Sequence, residues 1–419
     1  MEYIVVIGGT KLVGSVHTSG AKNAALPILF ASLLAEGRHQ FHNVPVLRDI
    51  VSTERLLQHL NCQTLRDGTD MTVQTLPPED YTAPYELVSQ MRASILCLGP
   101  LLAKYGEARV SLPGGCAIGS RPINLHIEPL KQMGAEISIE KGYVNAHLPG
   151  RRLSGAHILF ENTTVGGTEN IMMAASLARG STVLENAARE PEIVDLAVYL
   201  KKMGAHIEGE GSDVITIEGV EKLSPAEHTI VPDRIEAGTL LIAGAITGGQ
   251  VRVEKCVPAD IQALIDKLRE SGFSISSGAD WVEIASGKMG HGVDIHTIPH
   301  PGFPTDLQAQ FMALMTQCEG ASVITESIFE NRFMHVQELM RLGADISLNA
   351  RVAVVRGKPG TLEGAEVMAT DLRASASLVL AGLVANGETT INRVYHLDRG
   401  YEKLEEKLAS LGAQIERRQ

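Results

Sequence analysis

The chain has 419 residues, of which 44% are hydrophobic and 21% charged, and its formal net charge is −12 at pH 7. That composition is typical of a globular protein with more than one domain, and the acidic balance argues against binding to nucleic acid or to an anionic membrane. The start, MEYIVVIGG, shows no secretion signal, and the apolar runs are too short to span a bilayer. We therefore expect a cytoplasmic protein.

The first predicted element is a strand at residues 3–7, which no helix precedes. We expect it to complete the last repeat of the chain and to join the two chain ends. After it, a helix of small residues that ends at Gly and leads into a strand occurs six times: LLAEGRHQFHNV, LLAKYGEARVSL, SLARGSTVLENA, AITGGQVRVEKC, TQCEGASVITES and LVANGETTINRV. A Gly at this place is typical of a helix C-terminus.

A second pattern keeps step with the first and predicts an amphipathic helix, a Gly and another strand, as in LKKMGAHI. Its six copies place the residue that ends the helix about 70 residues apart, at Asn61, Gly134, Gly204, Gly272, Gly343 and Gly412. Asn fits the same place because a residue in the left-handed conformation after a helix is usually Gly and sometimes Asn.

Six units of about 70 residues are longer than solenoid repeats of roughly 20–50 residues. We therefore predict an α/β fold of six βαβαββ-like subdomains that share cores, with three units in each of two domains. Crossings near residues 21 and 231 give one domain of residues 22–231 and a second, discontinuous domain of residues 1–21 and 232–419.

Polar residues stand where the first helix of each unit begins: Lys22 and Asn23, Arg92, Thr164 to Gly167, Asp233 with Arg234 and Glu236, Asp306, and Asp371 with Arg373. Helix N-termini bind anions through unpaired N–H groups and a partial positive charge. The alternative for the threonine and the aspartates is N-capping, for which these residue types are preferred. The cations Lys22, Arg92 and Arg373 oppose the helix dipole, and such a local conflict is expected at a functional site.

The loop at residues 113–126 is rich in Gly and Pro and holds one cysteine and one arginine, Cys116 and Arg121. A thiol beside a cation has a lowered pKa and serves as nucleophile or acid. The alternative, a buried structural cysteine, suits the cysteines that lie in or beside apolar runs. The loop therefore makes Cys116 a candidate catalytic residue.

The cysteines as a set indicate a reducing compartment rather than a disulfide or zinc scaffold. They are scattered, and none forms a C-x-x-C pair: Cys62, Cys97, Cys116, Cys256 and Cys318. The pair His296 and His300 has a spacing seen in metal sites, but Pro299 and Pro301 break any helix there. No metal site is predicted.

Nine stretches resemble the UDP-N-acetylglucosamine 1-carboxyvinyltransferase family: GAKNAALP, MRAS, LPGGCAIGSRPINLH, NAAREPEIVDLA, PDRIEAGT, PGFPTDLQAQF, ESIFENRFMH, MATDLRASASLVLAG and HLDRGYEKL. The resemblance runs from residue 3 to residue 417. It implies an inside-out α/β barrel with two domains of three units. It also implies transfer of the enolpyruvyl group of phosphoenolpyruvate to UDP-N-acetylglucosamine, the first committed step of bacterial peptidoglycan synthesis, with no metal and no organic cofactor.

The resemblance further implies the roles of single residues. Cys116 corresponds to the loop cysteine that acts as acid, forms a covalent adduct and is the target of fosfomycin, and Asp306 corresponds to the base. The cations for phosphoenolpyruvate are Lys22, Arg121 and Arg399, with Arg92 and Arg373 nearby. The nucleotide-sugar contacts are Asn23, Arg121, Pro122, Ile123, Asn124, Leu125, Thr164, Val165, Gly166, Asp306 and Ile328. Further acidic positions near the cleft are Glu190, Asp233 and Asp371.

In the implied mechanism, an acid at Cys116 protonates C3 of phosphoenolpyruvate, so that C2 becomes electrophilic. Asp306 accepts the proton of the 3′-hydroxyl as its oxygen attacks C2, and the tetrahedral ketal then loses phosphate. The cations stabilise the phosphate throughout. One position departs from the family, because Asn124 stands where Asp is expected, and this bears on the contact with uracil.

Three other functions fit part of the sequence. 5-Enolpyruvylshikimate-3-phosphate synthase shares the repeats and the phosphoenolpyruvate cations, but not the PGGCAIGSRP loop or the FPTDLQAQ motif. VVIGGTKLVGSV suggests a dinucleotide-binding oxidoreductase, but G-x-G-x-x-G is absent, and a strand is predicted after Gly14 where that fold needs a helix. Retention of Cys116 and Asp306 disfavours a non-catalytic binding protein of the same fold. The oligomeric state stays open.

Overall fold

A computed structural model describes residues 2–89, 91–112, 123–285, 287 and 289–419. The predicted catalytic residue Cys116 and the predicted substrate contacts Arg121 and Pro122 lie outside the described residues. The described chain forms two compact units, which we call the central unit (residues 20–231) and the discontinuous unit (residues 2–19 and 232–419). Each unit has a hydrophobic core of its own.

The chain starts with two strands of the discontinuous unit and then runs through the three repeats of the central unit. The first strands are β1 (Tyr3–Ile7) and β2 (Val13–His17). The first repeat has α1 (Lys22–Ala31), β3 (Gly37–His42), α2 (Arg48–His59), β4 (Cys62–Asp67) and β5 (Asp70–Thr75). The second has β6 (Thr82–Ala83), α3 (Tyr85–Val88), α4 (Leu98–Tyr105), β7 (Glu107–Ser111), α5 (Asn124–Gln132), β8 (Glu136–Glu140) and β9 (Tyr143–His147). The third has β10 (His157–Leu159), α6 (Val165–Ala175), β11 (Ser181–Glu185), α7 (Pro191–Lys202), β12 (His206–Glu208) and β13 (Val214–Glu218), and β14 (Glu227–Thr229) follows.

The remaining three repeats belong to the discontinuous unit. The fourth has α8 (Arg234–Ile246), β15 (Gln250–Glu254), α9 (Gln262–Glu270), β16 (Ser274–Ser277) and β17 (Trp281–Ala285). The fifth has β18 (Ile295–Thr297), α10 (Gln308–Met315), β19 (Gly320–Glu326), α11 (His335–Arg341), β20 (Ile346–Asn349) and β21 (Val352–Gly357). The sixth has β22 (Glu366–Met368), α12 (Ser375–Gly382), β23 (Glu388–Asn392), α13 (Leu404–Ser410) and β24 (Gln414–Arg418). Short 3₁₀ helices lie at Ser32–Leu34, Arg92–Cys97, Pro258–Ile261, Thr305–Leu307 and Val394–Arg399.

The described strands form six four-stranded sheets with one common topology. In each sheet a short edge strand runs parallel to its neighbour, and the other two strands are antiparallel, as in the order β10-β11-β13-β12. The prediction of an α/β chain of six βαβαββ-like units is thus confirmed. β1 lies between β23 and β24, with Ile4 opposite Ile391 and Arg417, so the predicted joining of the two chain ends is also confirmed.

Two edge strands pair with strands that are distant in the chain. β2 runs parallel to β15, with Val13 opposite Gln250, and completes the sheet of the fourth repeat. β14 runs parallel to β3, with Glu227 opposite Gln40, and completes the sheet of the first repeat. Each unit therefore has three complete sheets, although the chain enters the central unit after β2 and leaves it after β14.

The first long helix of each repeat is buried on nearly all sides, which suits its small and apolar residues. All residues of α10 and α12 are buried, as are all but Arg234 in α8. The second helix of each repeat is amphipathic and ends where predicted. The second residue after its end has a positive φ in all six repeats, from 65° at Asn61 to 107° at Gly204. Among the described residues, no helix combines the length and the apolar character that a membrane span requires.

Candidate active site

In the central unit, α1 begins with the predicted phosphoenolpyruvate cation. Lys22 is the first residue of the helix and is 6% exposed, and Ala21 before it contributes no side-chain cap. The Nζ of Lys22 lies 3.5 Å from Oδ2 of Asp49, a buried carboxylate in the first turn of α2. Burial of an ammonium group is costly unless the group is paired, and the partial positive charge of the helix N-terminus also repels Lys22. The carboxylate of Asp49 offsets both effects.

Two further predicted residues of this unit also stand at helix starts. Asn23 is the second residue of α1, and Arg92 is the first residue of a 3₁₀ helix that leads directly into α4. Both are half-buried. Their backbone positions agree with the prediction that polar side chains gather at the N-termini of first helices.

The predicted nucleotide contacts at residues 123–125 and 164–166 come together at the N-termini of α5 and α6. A Cβ on Gly166 would lie 3.2 Å from Cε1 of His126, and a Cβ on Gly167 would lie 3.1 Å from the carbonyl oxygen of Leu125. A side chain at either glycine would crowd the start of the other helix, so the two helix starts approach closely here. Two N-termini side by side present unpaired N–H groups and partial positive charge to the same volume, which favours an anion such as a diphosphate.

His126 is a residue of this region to which the sequence assigned no role. It is 7% exposed, and its Nδ1 accepts a hydrogen bond from Nδ2 of Asn170 at 3.1 Å. The Oδ1 of Asn170 accepts in turn from the N–H of Gly99 in α4 at 2.8 Å. The asparagine thereby fixes the imidazole between α5 and α6.

Other predicted residues of the central unit lie at the edge of this region. Asn124, which departs from the family pattern, is exposed at the start of α5, whereas Leu125 is half-buried. Glu190, directly before α7, is 9% exposed. Burial, together with the carboxylates of Glu192 and Glu190, raises the pKa of Glu169 in α6 well above its usual range.

In the discontinuous unit, the predicted base is held by two arginines. Oδ1 of Asp306 lies 2.7 Å from Nη2 of Arg332, and Oδ2 lies 3.7 Å from Nε of Arg373. The side chain of Asp306 is 22% exposed, whereas those of Arg332 and Arg373 are 6% and 1% exposed. Burial lowers the pKa of Arg332, but the charges of Asp306 and Asp371 raise it by more. The guanidinium therefore stays positive beside the carboxylate.

Glu326 joins the segment of Asp306 to the predicted nucleotide-sugar contact Ile328. Its Oε1 accepts from the N–H of Ile328 at 2.8 Å and from that of Phe329 at 3.1 Å. Its Oε2 accepts from Oγ1 of Thr305 at 2.8 Å, and Arg332 donates to the same hydroxyl oxygen at 2.9 Å. Asp306 and Ile328 thus belong to one hydrogen-bond network.

N-capping, the alternative for the aspartates and the threonine, applies to Thr164 and Asp233, and Asp371 makes similar hydrogen bonds in the turn before α12. Thr164 accepts from the N–H of Gly167 at 3.2 Å, and Asp233 accepts from the N–H of Ile235 at 2.9 Å and from that of Glu236. Asp371 accepts from the N–H groups of residues 373 and 374. Asp306 instead lies within its 3₁₀ helix, whose N-cap is Pro304, and its carboxylate pairs with arginines. Asp306, whose carboxylate pairs with Arg332, is the one of these residues that the sequence predicts to be catalytic.

Arg373 connects this carboxylate to the segment that carries the predicted cation Arg399. Its Nη2 donates to Oδ2 of Asp233 at 2.9 Å, and its Nη1 donates to the carbonyl oxygen of Gly400 at 2.6 Å. Its guanidinium lies 5.0 Å from the ring centre of Tyr401. Arg399 itself is the half-buried last residue of a 3₁₀ helix.

The structure also identifies supporting residues to which no role was assigned from the sequence: Asp49, His126, Asn170, Glu326 and Arg332. The sequence held only a weak indication of the pairing of Arg332 with Asp306. Arg332 stands in the ESIFENRFMH stretch, but its separation from Asp306 in the chain follows no helix or strand period. In the part of the chain that is described, no three His, Cys, Asp or Glu side chains are grouped so as to hold a metal ion.

Comparison with known proteins decides the family. The family model of EPSP synthase (3-phosphoshikimate 1-carboxyvinyltransferase) matches residues 6–408. UDP-N-acetylglucosamine 1-carboxyvinyltransferase of Bdellovibrio bacteriovorus is 65% identical over 414 residues, which cover 99% of this chain and all of the relative. The enzymes of the same name from Anaeromyxobacter dehalogenans and Halorhodospira halophila are 57% and 53% identical, and each alignment covers all of this chain and 99% of the relative.

The chain belongs to the UDP-N-acetylglucosamine 1-carboxyvinyltransferase family.

Solved structures agree with this family assignment. The enolpyruvyl transferase NikO from Streptomyces tendae has a TM-score of 0.88 and is 26% identical, with 99% of this chain and 98% of that chain covered. EPSP synthase from Acinetobacter baumannii has a TM-score of 0.78 at 19% identity, with both chains fully covered, and so shows the fold alone. The predicted fold class, an inside-out α/β barrel of repeated units, is confirmed.

The family assignment also excludes one of the alternative functions, that of a dinucleotide-binding oxidoreductase. An oxidoreductase would need a helix after the glycines at residues 8–14, and the structure has β2 there, as the sequence predicted. The 53–65% identity to UDP-N-acetylglucosamine enzymes contrasts with the 19% identity to the EPSP synthase structure.

Proposed function

We propose that the chain transfers the enolpyruvyl group of phosphoenolpyruvate to the 3′-hydroxyl of UDP-N-acetylglucosamine and releases phosphate, in the cytoplasm, as the first committed step of peptidoglycan synthesis. The observation that carries the proposal is the identity of 53–65% over the whole chain to enzymes of that name. The repeated helix N-termini with buried cations fit two anionic substrates.

Asp306 is the proposed base. A carboxylate must be ionised to accept a proton, and the guanidinium of Arg332 at 2.7 Å stabilises that negative charge. The contact with Arg332 orients one carboxylate oxygen before the sugar hydroxyl arrives, and the charge of Arg373, 3.7 Å from the other oxygen, adds to the stabilisation of the carboxylate. Such fixed geometry supports proton transfer at the moment when oxygen attacks C2.

Lys22, Arg121 and Arg399 are proposed to bind the phosphate and carboxylate of phosphoenolpyruvate, with Arg92 nearby. Arginines hold planar and tetrahedral anions through two donors at once, and a lysine adds a point charge. Positive groups fixed around the phosphate stabilise it as it leaves the tetrahedral ketal. Arg373 is proposed to act from behind Asp306, since its side chain is 1% exposed.

The nucleotide is proposed to bind where α5 and α6 begin, with Ile123, Asn124, Leu125, Thr164, Val165, Gly166, Pro122 and Asn23 as contacts and Ile328 on the sugar side. The close approach of the two helix starts at Gly166 supports a diphosphate there. Asn124 keeps the backbone N–H that the expected Asp would offer and replaces its carboxylate by an amide, so a uracil contact through the backbone would be kept.

Cys116 is proposed as the acid for C3 and as the residue that fosfomycin alkylates. The argument rests on the loop sequence, in which Cys116 precedes Arg121 by five positions in the chain, since a cation beside a thiol increases the thiolate fraction. A phosphonate held by the same cations would bring its epoxide carbon to the sulfur.

The test is release of phosphate from phosphoenolpyruvate, measured with and without UDP-N-acetylglucosamine. We expect release that depends on the nucleotide sugar, together with mass-spectrometric detection of its enolpyruvyl ether. A parallel reaction with shikimate 3-phosphate serves as the control for the related activity. Release with shikimate 3-phosphate and none with UDP-N-acetylglucosamine would overturn the proposal.

A further inference from the structure

The side chain of Arg417, near the end of β24, joins three acidic residues of the discontinuous unit. Nη1 and Nη2 donate to the two carboxylate oxygens of Asp398 at 3.1 and 2.6 Å, and Nε donates to Oε1 of Glu405 at 2.7 Å. Nη1 also donates to Oε2 of Glu2 at 3.1 Å. A guanidinium that binds both oxygens of one carboxylate fixes its direction as well as its position.

Two of the acids bound by Arg417, Asp398 and Glu405, flank the predicted substrate cation Arg399 in the chain. Asp398 directly precedes Arg399 in the last 3₁₀ helix, and Glu405 lies in the first turn of α13. The chain enters this segment at Arg393 with a φ of 57° and leaves it at Lys403 with a φ of 48°. Left-handed conformations are unfavourable for residues other than Gly and Asn, so tertiary contacts must hold the segment in place.

The segment is held from two sides. On its buried side, Nη1 of Arg373 donates to the carbonyl oxygen of Gly400, the residue after Arg399. On its more exposed side, Arg417 binds the carboxylate of Asp398, the residue before Arg399. The side chain of Arg417 is 24% exposed, whereas that of Arg373 is 1% exposed.

Two physical effects link the carboxylate of Asp398 to the guanidinium of Arg399. Successive side chains in a 3₁₀ helix point about 120° apart, because the helix has three residues per turn, so a fixed Asp398 restricts the direction of its neighbour. In addition, the positive charge of Arg417 offsets the negative charge of Asp398, which would otherwise compete with a substrate anion. Burial lowers the pKa of Arg417, but its hydrogen bonds to Asp398 and Glu405, together with the charges of these two acids, raise it by more.

We propose that Arg417 is a positioning residue for phosphoenolpyruvate: by holding Asp398 and Glu405 from behind, it orients Arg399 toward the substrate phosphate. The proposal rests on the function proposed above, since it needs Arg399 to bind that substrate. Arg417 touches no substrate itself, so its removal acts through Arg399.

The experiment compares steady-state kinetics of the full chain with Arg417→Met, Arg417→Lys and Asp398→Asn. For Arg417→Met we expect KM for phosphoenolpyruvate to rise about tenfold, since misplacement of a binding group by less than 1 Å costs up to about 100-fold. KM for UDP-N-acetylglucosamine should change less than about twofold, because no predicted nucleotide contact lies in this segment. Asp398→Asn should behave similarly, and Arg417→Lys should be intermediate, since lysine supplies the charge without the two parallel donors.

Glu2→Gln is the matched control, because it removes another partner of the same guanidinium that does not flank Arg399. Its KM values should equal those of the unaltered chain. A lower kcat of Arg417→Met with both KM values unchanged would indicate general loss of folding. An equal rise of the KM values for both substrates would indicate the same. Either result would overturn the proposal. If Arg417→Met does not fold, Asp398→Asn and Arg417→Lys decide in the same way.

The two proposals fail differently. Absence of nucleotide-dependent phosphate release in the unaltered chain would refute the proposed function. Normal release in the unaltered chain, with an unchanged KM for phosphoenolpyruvate in Asp398→Asn and Arg417→Lys, would refute only the positioning role of Arg417.

Discussion

Replacement of Asp306 by Ala tests both its catalytic and its structural role. The change removes the carboxylate 2.7 Å from Nη2 of Arg332, whose side chain is 6% exposed. At an effective dielectric constant of about 20, a pair of unit charges at that distance attracts by about 6 kcal/mol, most of which offsets the cost of taking the charges out of water. Loss of one partner of a buried pair costs about 3–5 kcal/mol. The 22% exposure of Asp306 favours the lower end of that range.

A loss of about 3 kcal/mol in a unit of roughly 200 residues corresponds to a fall in Tm of about 6–12 °C. Differential scanning calorimetry of Asp306→Ala measures that fall. In the phosphate-release assay below this Tm, we expect turnover to fall about 10²–10⁴-fold, as for loss of a general base. Binding of UDP-N-acetylglucosamine should be largely kept.

The double variant Asp306→Ala/Arg332→Met separates the two effects. It removes both charges, so its Tm should recover toward that of the unaltered chain, while turnover stays low. Asp306→Asn keeps the shape of the side chain and should lose turnover with a smaller fall in Tm. Near-normal turnover of Asp306→Ala would remove the residue from the mechanism. An unchanged Tm would refute the reasoning about the buried guanidinium.

The remaining predictions concern thiols and pH. Burial raises the pKa of the four described cysteines to about 11 or 12, so at pH 8 about one thiol in 10³ or fewer is ionised. A native Cys116→Ala variant should therefore take up almost no iodoacetamide, and rapid labelling would contradict this. Cys116→Asp should keep turnover and resist fosfomycin, whereas Cys116→Ser should turn over poorly. Peptide mass mapping that locates the drug on another cysteine would show that Cys116 is not the alkylated residue. Burial lowers the pKa of His335 to about 4, so the stability conferred by its neutral form is complete above about pH 6.5 and is lost as pH falls toward 4. Tm should then fall more between pH 7 and pH 4.5 in the unaltered chain than in His335→Gln. Parallel curves of Tm against pH for the two proteins would refute this prediction.

The sequence predicted most reliably what local backbone chemistry decides. Asn61 and the five glycines at matching places end their helices with positive φ, because a left-handed residue is cheapest for these types. Thr164 and Asp233 cap helices, and Asp371 closes the turn before α12, because their oxygens reach N–H groups two or three residues ahead in the chain. Such interactions depend on a few neighbouring residues, so the sequence reveals them.

Only the tertiary structure decided which distant groups meet. The sequence placed Asp306 and Lys22 at helix starts, but it could not predict that Arg332 and Asp49 pair with them. It predicted a strand after Gly14 and a crossing near residue 231, but not that β2 and β14 complete the sheets of the fourth and first repeats. The physical reason is that ion pairs and strand pairing have no fixed spacing along the chain. Which residues pair is decided by burial, because a buried charge or backbone group without a partner is costly. That cost arises only once the cores have formed.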